Sequence, residues 1–250
     1  MTSSDYIGLV TVRTSSTRLP EKCLLSFGEG NVISHVVKRA VSYGIRPIIC
    51  TSIDPSDDIL ENIARELNVE CFRGSMKNKL KRWFDCAEKF NIECFHTIDA
   101  DDPFFDGSEM IESLELLKSQ NCDVVSPTES SSAGGASVGY SLTRDIIKKA
   151  LYGVDDDADT EMMWYYLEKI ESINMKILPD TRNTDLSIRL TLDYEEDYWL
   201  LSTVARILGD NDSRDAVDQL FIKNPDLRKI NLFRNDQWKQ LQMDKKKKVK

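Results

Sequence analysis

The sequence predicts an α/β fold in which a doubly wound, mostly parallel sheet is covered by helices on both faces. Through the first half of the chain, short apolar or β-branched runs alternate with segments whose apolar residues recur at helical spacing. The connections between these segments are short, as is typical of βαβ units. With 250 residues, of which 41% are hydrophobic, the chain can bury one core without disulfides or structural metals.

Individual elements follow from this alternation. Five strands are predicted, at residues 6–12, 45–52, 69–72, 93–98 and 123–126. The predicted helices lie at 31–43, 59–67, 77–90 and from Asp106 or Ser108 to Ser119. Gly44 directly follows the first helix as a candidate C-cap, and Ser56 is a candidate N-cap of the second.

The second half is less regular. A flexible loop is predicted at 130–136, strands at 137–142, 175–178 and 186–192, and helices from Thr143 and at 161–170, 195–208 and 213–221. We interpret residues 1–240 as one domain with a small lid-like or dimerising insertion at about 128–185. The Lys-rich residues 241–250 predict a basic, disordered tail.

Composition excludes several classes of protein. A net charge of −9 argues against non-specific nucleic-acid binding, which depends on neutralising phosphates. No apolar run is long enough for a membrane helix, and the N-terminus lacks the features of a signal peptide. Six cysteines without a CxxC pair and only two histidines argue against a zinc site. We therefore expect reduced thiols and a cytoplasmic protein that binds neither nucleic acid nor membrane.

A basic loop follows the first strand, where ligands bind in open α/β sheets. Arg13, Arg18 and Lys22 offer two guanidinium groups and an ammonium to a polyphosphate. The alternative is a solvated surface loop. Two features favour the phosphate site: the cations interrupt an acidic chain, and Pro20 stiffens the segment between Arg18 and Lys22.

Carboxylates end two other predicted strands. Asp99, Asp101 and Asp102 follow the strand at 93–98, where they could hold Mg²⁺ or form a helix-capping turn. Asp193 follows the strand at 186–192. It could be a second metal ligand or the N-cap of a helix with Glu196 in a capping box, and the two roles are compatible. The histidines, His35 and His96, are interpreted as packing residues.

Four segments in order resemble a known family. Residues 12–22, Val-Arg-Thr-Ser-Ser-Thr-Arg-Leu-Pro-Glu-Lys, resemble the opening Ala-Arg-Met-Gly-Ser-Thr-Arg-Leu-Pro-Gly-Lys of the sugar-acid cytidylyltransferases, especially their spore-coat polysaccharide synthesis (SpsF-like) branch. The CMP-Kdo and CMP-sialic acid synthetases are more distant relatives. Residues 72–75 with 80–83, 101–103 and 190–197 are similar to the family's Phe-Arg-Gly-Ser with Leu-x-Arg-Tyr, Asp-Cys-Pro and Leu-Thr-Leu-Asp-Thr-Pro-Glu-Asp.

The resemblance implies a fold, a reaction and a set of site residues. The fold would be Rossmann-like, of the nucleotide-diphospho-sugar transferase type and usually dimeric. The reaction would use CTP and Mg²⁺ to place CMP on a sugar acid for surface-polysaccharide synthesis, with release of pyrophosphate. The triphosphate would be held by Arg13, Ser15, Arg18 and Lys22, and the metal by Asp101 and Asp193; other nucleotide contacts would come from Val12, Thr51, Ser52, Arg73, Gly74 and Ser75. Acceptor contacts would come from residues 130–165.

Two family glycines are replaced. Ser15 and Glu21 stand where the family has glycine, which permits close backbone approach or a positive φ. Ser15 would then weaken triphosphate binding, and Glu21 would repel the phosphates. The family's His-Val pair in a late helix is also not evident, because residues 161–164 read Glu-Met-Met-Trp.

Three alternative functions stay open. The first is an enzyme of this fold that uses another nucleotide. A Gly-rich opening would favour it, and the sequence lacks one. A catalytically silent nucleotide-binding or scaffold protein would fit Ser15 and Glu21. A GT-A glycosyltransferase would use a closely spaced acidic pair, for which Asp99 and Asp101 are candidates.

Overall fold

The computed structural model describes residues 6–132, 134–136, 139–182, 186–209, 213–238 and 240. Its strands are β1 Ile7–Thr11, β2 Ser26–Phe27, β3 Gly30–Asn31, β4 Arg46–Ser52, β5 Glu70–Gly74, β6 Cys94–Asp99, β7 Val124–Ser126, β8 Ser141–Thr143 and β9 Met175–Ile177. Within the described ranges, seven strands form one sheet in the order β5-β4-β1-β6-β8-β7-β9, and β2 and β3 form a separate hairpin. Only β8 runs antiparallel to its neighbours in the large sheet. The predicted mostly parallel sheet is confirmed.

The helices cover both faces of this sheet. They are α1 Val32–Ser42, α2 Asp58–Glu66, α3 Lys79–Lys89, α4 Gly107–Ser119, α5 Glu129–Ser132, α6 Arg144–Ala150, α7 Trp164–Leu167, α8 Glu195–Leu208 and α9 Arg214–Lys223. Short 3-10 turns lie at Lys22–Leu24, Pro55–Asp57 and Pro225–Ile230. None of the helices in the described ranges is long and apolar enough to cross a membrane.

Neighbouring residues of each central strand enter different cores, as a sheet covered on both faces requires. Val10 and Ile49 pack with α1, α2 and α4, whereas Leu9 and Ile48 pack with α3, α6 and α7. A third cluster joins α8 and α9 to the β2–β3 hairpin. All six cysteines are free, as expected. Packing on both faces of the sheet therefore fixes the positions of β1 and β6.

The first four helices of the chain end in the same way. The residues after their C-caps are Gly44, Asn68, Asn91 and Asn121, with φ of 77°, 56°, 51° and 49°. Glycine and asparagine tolerate this left-handed conformation better than other residues. Each turn sends the chain back toward the next strand. The C-cap of α1 is Tyr43, so Gly44 lies one position after the cap instead of forming it as predicted.

Several local predictions are wrong. Residues 186–192 form no strand, because Leu190 N–H donates to Gly134 O (2.8 Å) and Leu192 N–H to Asp101 O (2.7 Å), both in loops. The helix predicted at 161–170 is confined to α7, and the strand predicted at 137–142 is the three-residue β8. Ser56 lies within a 3-10 turn capped by Asp54 and does not cap α2.

The remaining predictions concern the start of α4, one loop, the tail and the domain boundaries. Asp106 caps α4, since its carboxylate accepts a hydrogen bond from Ser108 N–H (2.9 Å). The predicted flexible loop at 130–136 overlaps α5. The tail predicted at 241–250 lies outside the described residues, and the single domain with an insertion at 128–185 stays a prediction.

Candidate active site

A cleft of about 600 Å³ opens at the carboxyl ends of β1 and β6. The predicted site residues that line it are Val12, Arg13, Ser15, Arg18, Lys22 and Asp101. The cleft is also lined by residues that the sequence did not single out as ligand contacts: Lys77, Arg82, Asp159 and Glu161. The topology brings β1 and β6 side by side, so the basic loop and the acidic segment meet here.

Lys22 stands at the centre of the charged groups. Its ammonium donates to Asp101 Oδ2 (2.7 Å), Asp193 Oδ1 (2.8 Å) and the carbonyl of Leu192 (2.9 Å), which uses all three of its hydrogens. Arg18 also donates to Asp193 Oδ1, at 2.5 Å. The structure thus brings together two residues predicted to hold the triphosphate and the two predicted to hold the metal, although they lie up to 175 positions apart in sequence.

These charges stabilise one another in a desolvated setting. Burial would raise the pKa of Asp193, but Lys22, Arg18 and Arg189 outweigh it and hold that pKa below its usual value. Burial would likewise lower the pKa of Lys22, yet Asp101 and Asp193 raise it above the usual value. Both groups are therefore charged at neutral pH.

The loop that carries Asp193 is held from behind by a buried network. Arg189 donates two hydrogen bonds to Asp197, at 2.8 and 2.9 Å. Asp197 Oδ2 also accepts the backbone N–H groups of Asp193 and Tyr194, each at 3.0 Å. Asn231 adds a bond to Asp197 at 2.9 Å. Sequence reasoning missed this network because none of these residues shows its partner in the linear pattern.

The network also corrects the predicted cap. Tyr194 is the N-cap residue of α8, so the third helical position belongs to Asp197. Asp193 precedes the cap, and Glu196 pairs with Arg234 at 2.7 Å instead of closing a capping box. The predicted box is thus shifted by one residue, and the buried Asp193, directly before the cap, contacts Lys22.

The three carboxylates after β6 have different surroundings. Asp101 faces Lys22, Asp99 lines the cleft, and Asp102 accepts a hydrogen bond from the buried Thr191 hydroxyl at 2.7 Å. Burial and the charge of Asp101 raise the pKa of Asp99 to about 6. Asp102, which is buried beside both, has a pKa raised well above the usual value. Only Asp99 and Asp101 of the three line the cleft.

The oxygens of Asp101 and Asp193 fit a hard divalent cation. Asp193 Oδ2 is buried without a hydrogen-bond partner in the described part of the chain, and Arg189 Nη2 lies 3.5 Å from it. Among the described residues, no three His, Cys, Asp or Glu side chains form a complete metal-binding group. Mg²⁺ takes only one or two protein carboxylates and completes its shell with phosphates and water, so the pair suits it.

Comparison with known proteins assigns the family. The sequence pattern of the cytidylyltransferases matches residues 7–158, more than half of the chain. The chain belongs to the cytidylyltransferase family. It is 24% identical over 233 residues to the spore coat polysaccharide biosynthesis protein SpsF of Bacillus subtilis, covering 89% of this chain and 96% of that protein. It is also 27% identical over 232 residues to an uncharacterised protein of Methanocaldococcus jannaschii, covering 90% and 93%.

Solved structures show the same fold. A cytidylyltransferase from Leptospira borgpetersenii superposes with a TM-score of 0.76 at 24% identity, over 89% of this chain and 95% of that one. CMP-2-keto-3-deoxy-manno-octonic acid synthetase in complex with CTP superposes with a TM-score of 0.60 at 14% identity, over 81% and 98%. These similarities confirm the predicted nucleotide-diphospho-sugar transferase type of fold.

The two replaced cytidylyltransferase glycines differ in conformation. Ser15 is not among the described residues with positive φ, so serine fits there without backbone strain. Glu21 has φ 51° and ψ 28°, the left-handed conformation for which glycine is suited. The strain therefore lies at Glu21, directly before Lys22.

The residues predicted near the cytidine have protein partners. Thr51 and Ser52 are buried and donate to Asp57, at 3.0 and 2.5 Å. Arg73 donates to the carbonyls of Ser52 and Asp54, at 3.0 and 2.8 Å. These side chains do not line the cleft described here. Their contact with a nucleotide stays a prediction.

The β5–α3 turn is shaped by packing. A Cβ at Gly74 would lie 2.7 Å from the Phe72 ring, and Ser75 Oγ accepts a hydrogen bond from Asn78 N–H at 3.0 Å. Arg13 reaches across to this turn and donates to Met76 O at 2.9 Å.

Neither histidine lines the cleft. His35 lies beside Phe27 and Phe104, and His96 hydrogen-bonds Ser141 at 2.8 Å.

Proposed function

We propose that this chain transfers CMP from CTP to a hydroxyl group of a sugar acid or related acceptor, with Mg²⁺ and with release of pyrophosphate. The observation that carries the proposal is the cluster of Arg18, Lys22, Asp101 and Asp193, of which all but the buried Asp193 line the cleft. Cations for a polyphosphate and carboxylates for a metal are the two components that phosphoryl-type transfer requires.

The residues would act mainly by position and charge. An acceptor hydroxyl attacks the α-phosphorus of CTP in line. A new O–P bond forms as the bond from the α-phosphorus to the bridging oxygen of the leaving pyrophosphate breaks, and the hydroxyl proton passes to solvent. Arg18 and Lys22 stabilise the charge of the leaving pyrophosphate. Lys22 donates to two carboxylates, so it can give one of these hydrogen bonds to a phosphate oxygen and keep the other. Asp101 and Asp193 would hold Mg²⁺, which supplies charge neutralisation and polarises the phosphate.

The choice of acceptor rests on the relatives. SpsF is described as a spore coat polysaccharide biosynthesis protein, and the synthetase complexed with CTP acts in forming a CMP-sugar acid. A sugar acid that enters a surface polysaccharide is consistent with both. The homodimer and the cytoplasmic location stay predictions of the sequence.

Nucleotide choice can be tested by thermal stabilisation. We would compare CTP, UTP, ATP and GTP, each with and without Mg²⁺. A ligand at about a hundred times its Kd adds roughly 2.7 kcal/mol of stability, which is a clear shift of melting temperature. A shift specific to CTP and increased by Mg²⁺ supports the proposal. A larger shift with another nucleotide would replace CTP by that nucleotide.

The metal-site assignment has its own test. Asp101→Asn is expected to abolish pyrophosphate release while leaving the protein folded, with some loss of stability because it removes one of the two carboxylates that pair with Lys22. Asp85→Asn on the surface of α3 is the control for loss of one negative charge. Retained turnover in Asp101→Asn would remove Asp101 from the metal site.

A second candidate function is a nucleotide-binding protein without transferase activity. It is favoured by Glu21, whose strained backbone and negative charge stand beside the central Lys22. Binding of CTP with Mg²⁺ and no pyrophosphate release, across a panel of sugar acids, would support this alternative.

A further inference from the structure

A buried carboxylate joins the basic loop to the end of β4. Asp57, which is 1% exposed, accepts five hydrogen bonds. Two come from Thr14 in the basic loop, from N–H at 2.8 Å and Oγ1 at 2.9 Å. The others come from the Thr51 hydroxyl at 3.0 Å and from Ser52 N–H and Oγ, at 3.3 and 2.5 Å.

No cation accompanies this carboxylate in the described part of the chain, where the ion pairs of lysine and arginine do not include Asp57. A buried charge without a counterion persists only if hydrogen bonds replace its hydration. Burial would raise the pKa of Asp57, but the donors from Ser52, Thr14 and Thr51 lower it below the usual value. The five hydrogen bonds therefore stabilise the ionised form of Asp57, and two of them attach the basic loop to this carboxylate through Thr14.

The tie fixes the first residues of the basic loop. Thr14 O accepts Ser16 N–H at 2.8 Å, which bends the chain directly after the anchor. Because its N–H and hydroxyl are directed to Asp57, Thr14 is not available to a ligand in this conformation. The anchored Thr14 thus sets the path of the segment that carries Ser15, Arg18 and Lys22 into the cleft.

We infer that Asp57 is a positioning residue, which holds the 13–22 loop in the conformation that receives a triphosphate. The inference rests on the proposed function, in which this loop binds the triphosphate. Among the described residues, Asp57 hydrogen-bonds to the 13–22 loop through Thr14, which itself does not line the cleft. Its role is to organise backbone and side-chain donors before the ligand arrives.

This role can be separated from simple electrostatics because the two predict opposite signs. A negative charge near the loop repels a triphosphate, so removing it would tighten binding if charge alone mattered. Loss of the anchor would weaken binding, because the ligand would have to order the loop. Asp57→Asn keeps the size of the side chain while it removes the charge and replaces one acceptor oxygen by a donor.

The experiment is a calorimetric titration of each variant with CTP and Mg²⁺, at a temperature where all variants are folded. We expect about tenfold weaker binding for Asp57→Asn, the effect of losing one charge-assisted hydrogen bond. Asp58→Asn removes the neighbouring and mostly exposed carboxylate together with its 2.6 Å ion pair to Arg73, and should not weaken binding because it removes a negative charge and frees a cation. Leu117→Ala, buried in α4, reports the effect of a less stable core. Unchanged or tighter binding by Asp57→Asn overturns the inference.

A second measurement does not depend on the nucleotide. In hydrogen exchange without ligand, Asp57→Asn is expected to accelerate exchange of residues 14–18 more than Leu117→Ala does. If the loop exchanges at the wild-type rate, Asp57 has only a local structural role and the inference fails. If the loop exchanges faster in Asp57→Asn but the wild-type chain binds no nucleotide, the proposed function fails, whereas the anchoring of the loop by Asp57 stands.

Thr14→Val covers the case in which Asp57→Asn does not fold. It removes the hydroxyl that reaches Asp57 and keeps the N–H bond from Thr14. A several-fold weaker titration with wild-type Asp57 present supports the anchor, whereas full affinity overturns it.

Discussion

At the scale of single residues, the strained backbone of Glu21 stands beside the central ammonium of the cleft. Its φ of 51° costs a residue with a Cβ about 1–2 kcal/mol relative to the right-handed regions. The side chain also places a negative charge next to Lys22. Ser15 carries neither disadvantage, although both residues replace a glycine of the family motif. Conformation therefore distinguishes two substitutions that look alike in sequence.

Glu21→Gly is expected to stabilise the protein by about 1 kcal/mol, because relief of strain exceeds the entropy that glycine adds to the unfolded chain. It should also tighten CTP binding by removing a negative charge. Urea unfolding and CTP titration measure the two effects. Ser15→Gly is the control and should lower stability by about 0.5–1 kcal/mol. Equal responses of the two variants would contradict the assignment of strain to Glu21.

The anchoring carboxylate predicts an acid dependence of stability. Since the pKa of Asp57 is lower in the folded chain, its contribution is complete above the ordinary carboxyl pKa of about 3.9 and is lost as the pH falls through the folded value. The difference in unfolding free energy between wild type and Asp57→Asn should be constant near neutral pH and shrink below about pH 4. A difference that stays constant into acid would show that the Asp57 carboxylate gains nothing from being ionised.

At the scale of elements, the left-handed turns after α1 to α4 link each helix to the next strand. Three of the four use asparagine, whose short polar side chain tolerates the conformation. Asparagine inside a helix has the opposite effect, because its side chain competes for backbone hydrogen bonds. The same residue type should therefore respond differently to substitution at the two kinds of position.

Asn91→Ala is expected to destabilise the protein by about 1 kcal/mol, because alanine is strained at φ 51°. Asn91→Gly should stay within about 0.5 kcal/mol of wild type. Asn62→Ala, at an exposed position inside α2, is the matched control and should stabilise by a few tenths of a kcal/mol. Thermal unfolding compares them, and a stabilising Asn91→Ala would be incompatible with the left-handed turn.

At the scale of the whole molecule, one arginine ties distant elements together. Arg182 contacts Asp106 and Glu109 of the α4 region, with Glu109 at 2.7 Å, and Asp215 and Asp218 of α9, both at 3.0 Å. Burial raises the pKa of Glu109 even though Arg182 opposes it. Removal of the guanidinium would leave four carboxylates facing one another.

Arg182→Met is therefore expected to cost about 3 kcal/mol at neutral pH, which is the scale for one partner lost from a buried ion pair. The loss should be smaller in acid, where the carboxylates are protonated. Lys229→Met removes a mostly exposed ion pair with Asp226 and should cost less than about 1 kcal/mol. Chemical unfolding at two pH values measures both losses. Similar losses for the two variants would show that the Arg182 ion pairs stabilise the protein no more than an exposed ion pair does.

The β–α alternation, the order of the four family segments and part of the cleft could be predicted from the sequence. The predicted part includes Arg18, Lys22 and Asp101, whereas Lys77, Arg82, Asp159 and Glu161 were not predicted as ligand contacts. Helical and strand periodicity depend on local burial, so α1 to α4 and the parallel strands could be predicted from spacing alone. The positions of Arg18, Lys22, Asp101 and Asp193 next to predicted strands made them candidates, and the resemblance to the family chose among their alternative roles.

Tertiary structure decided which of these groups meet and what holds them. Residues 186–192 have the composition of a strand but hydrogen-bond to loops, and Asp57 and Asp197 look like ordinary helix-start carboxylates until their distant donors are seen. Hydrogen bonds between residues far apart in sequence have no local signature, because their energy depends on placement of both partners by the packed sheet.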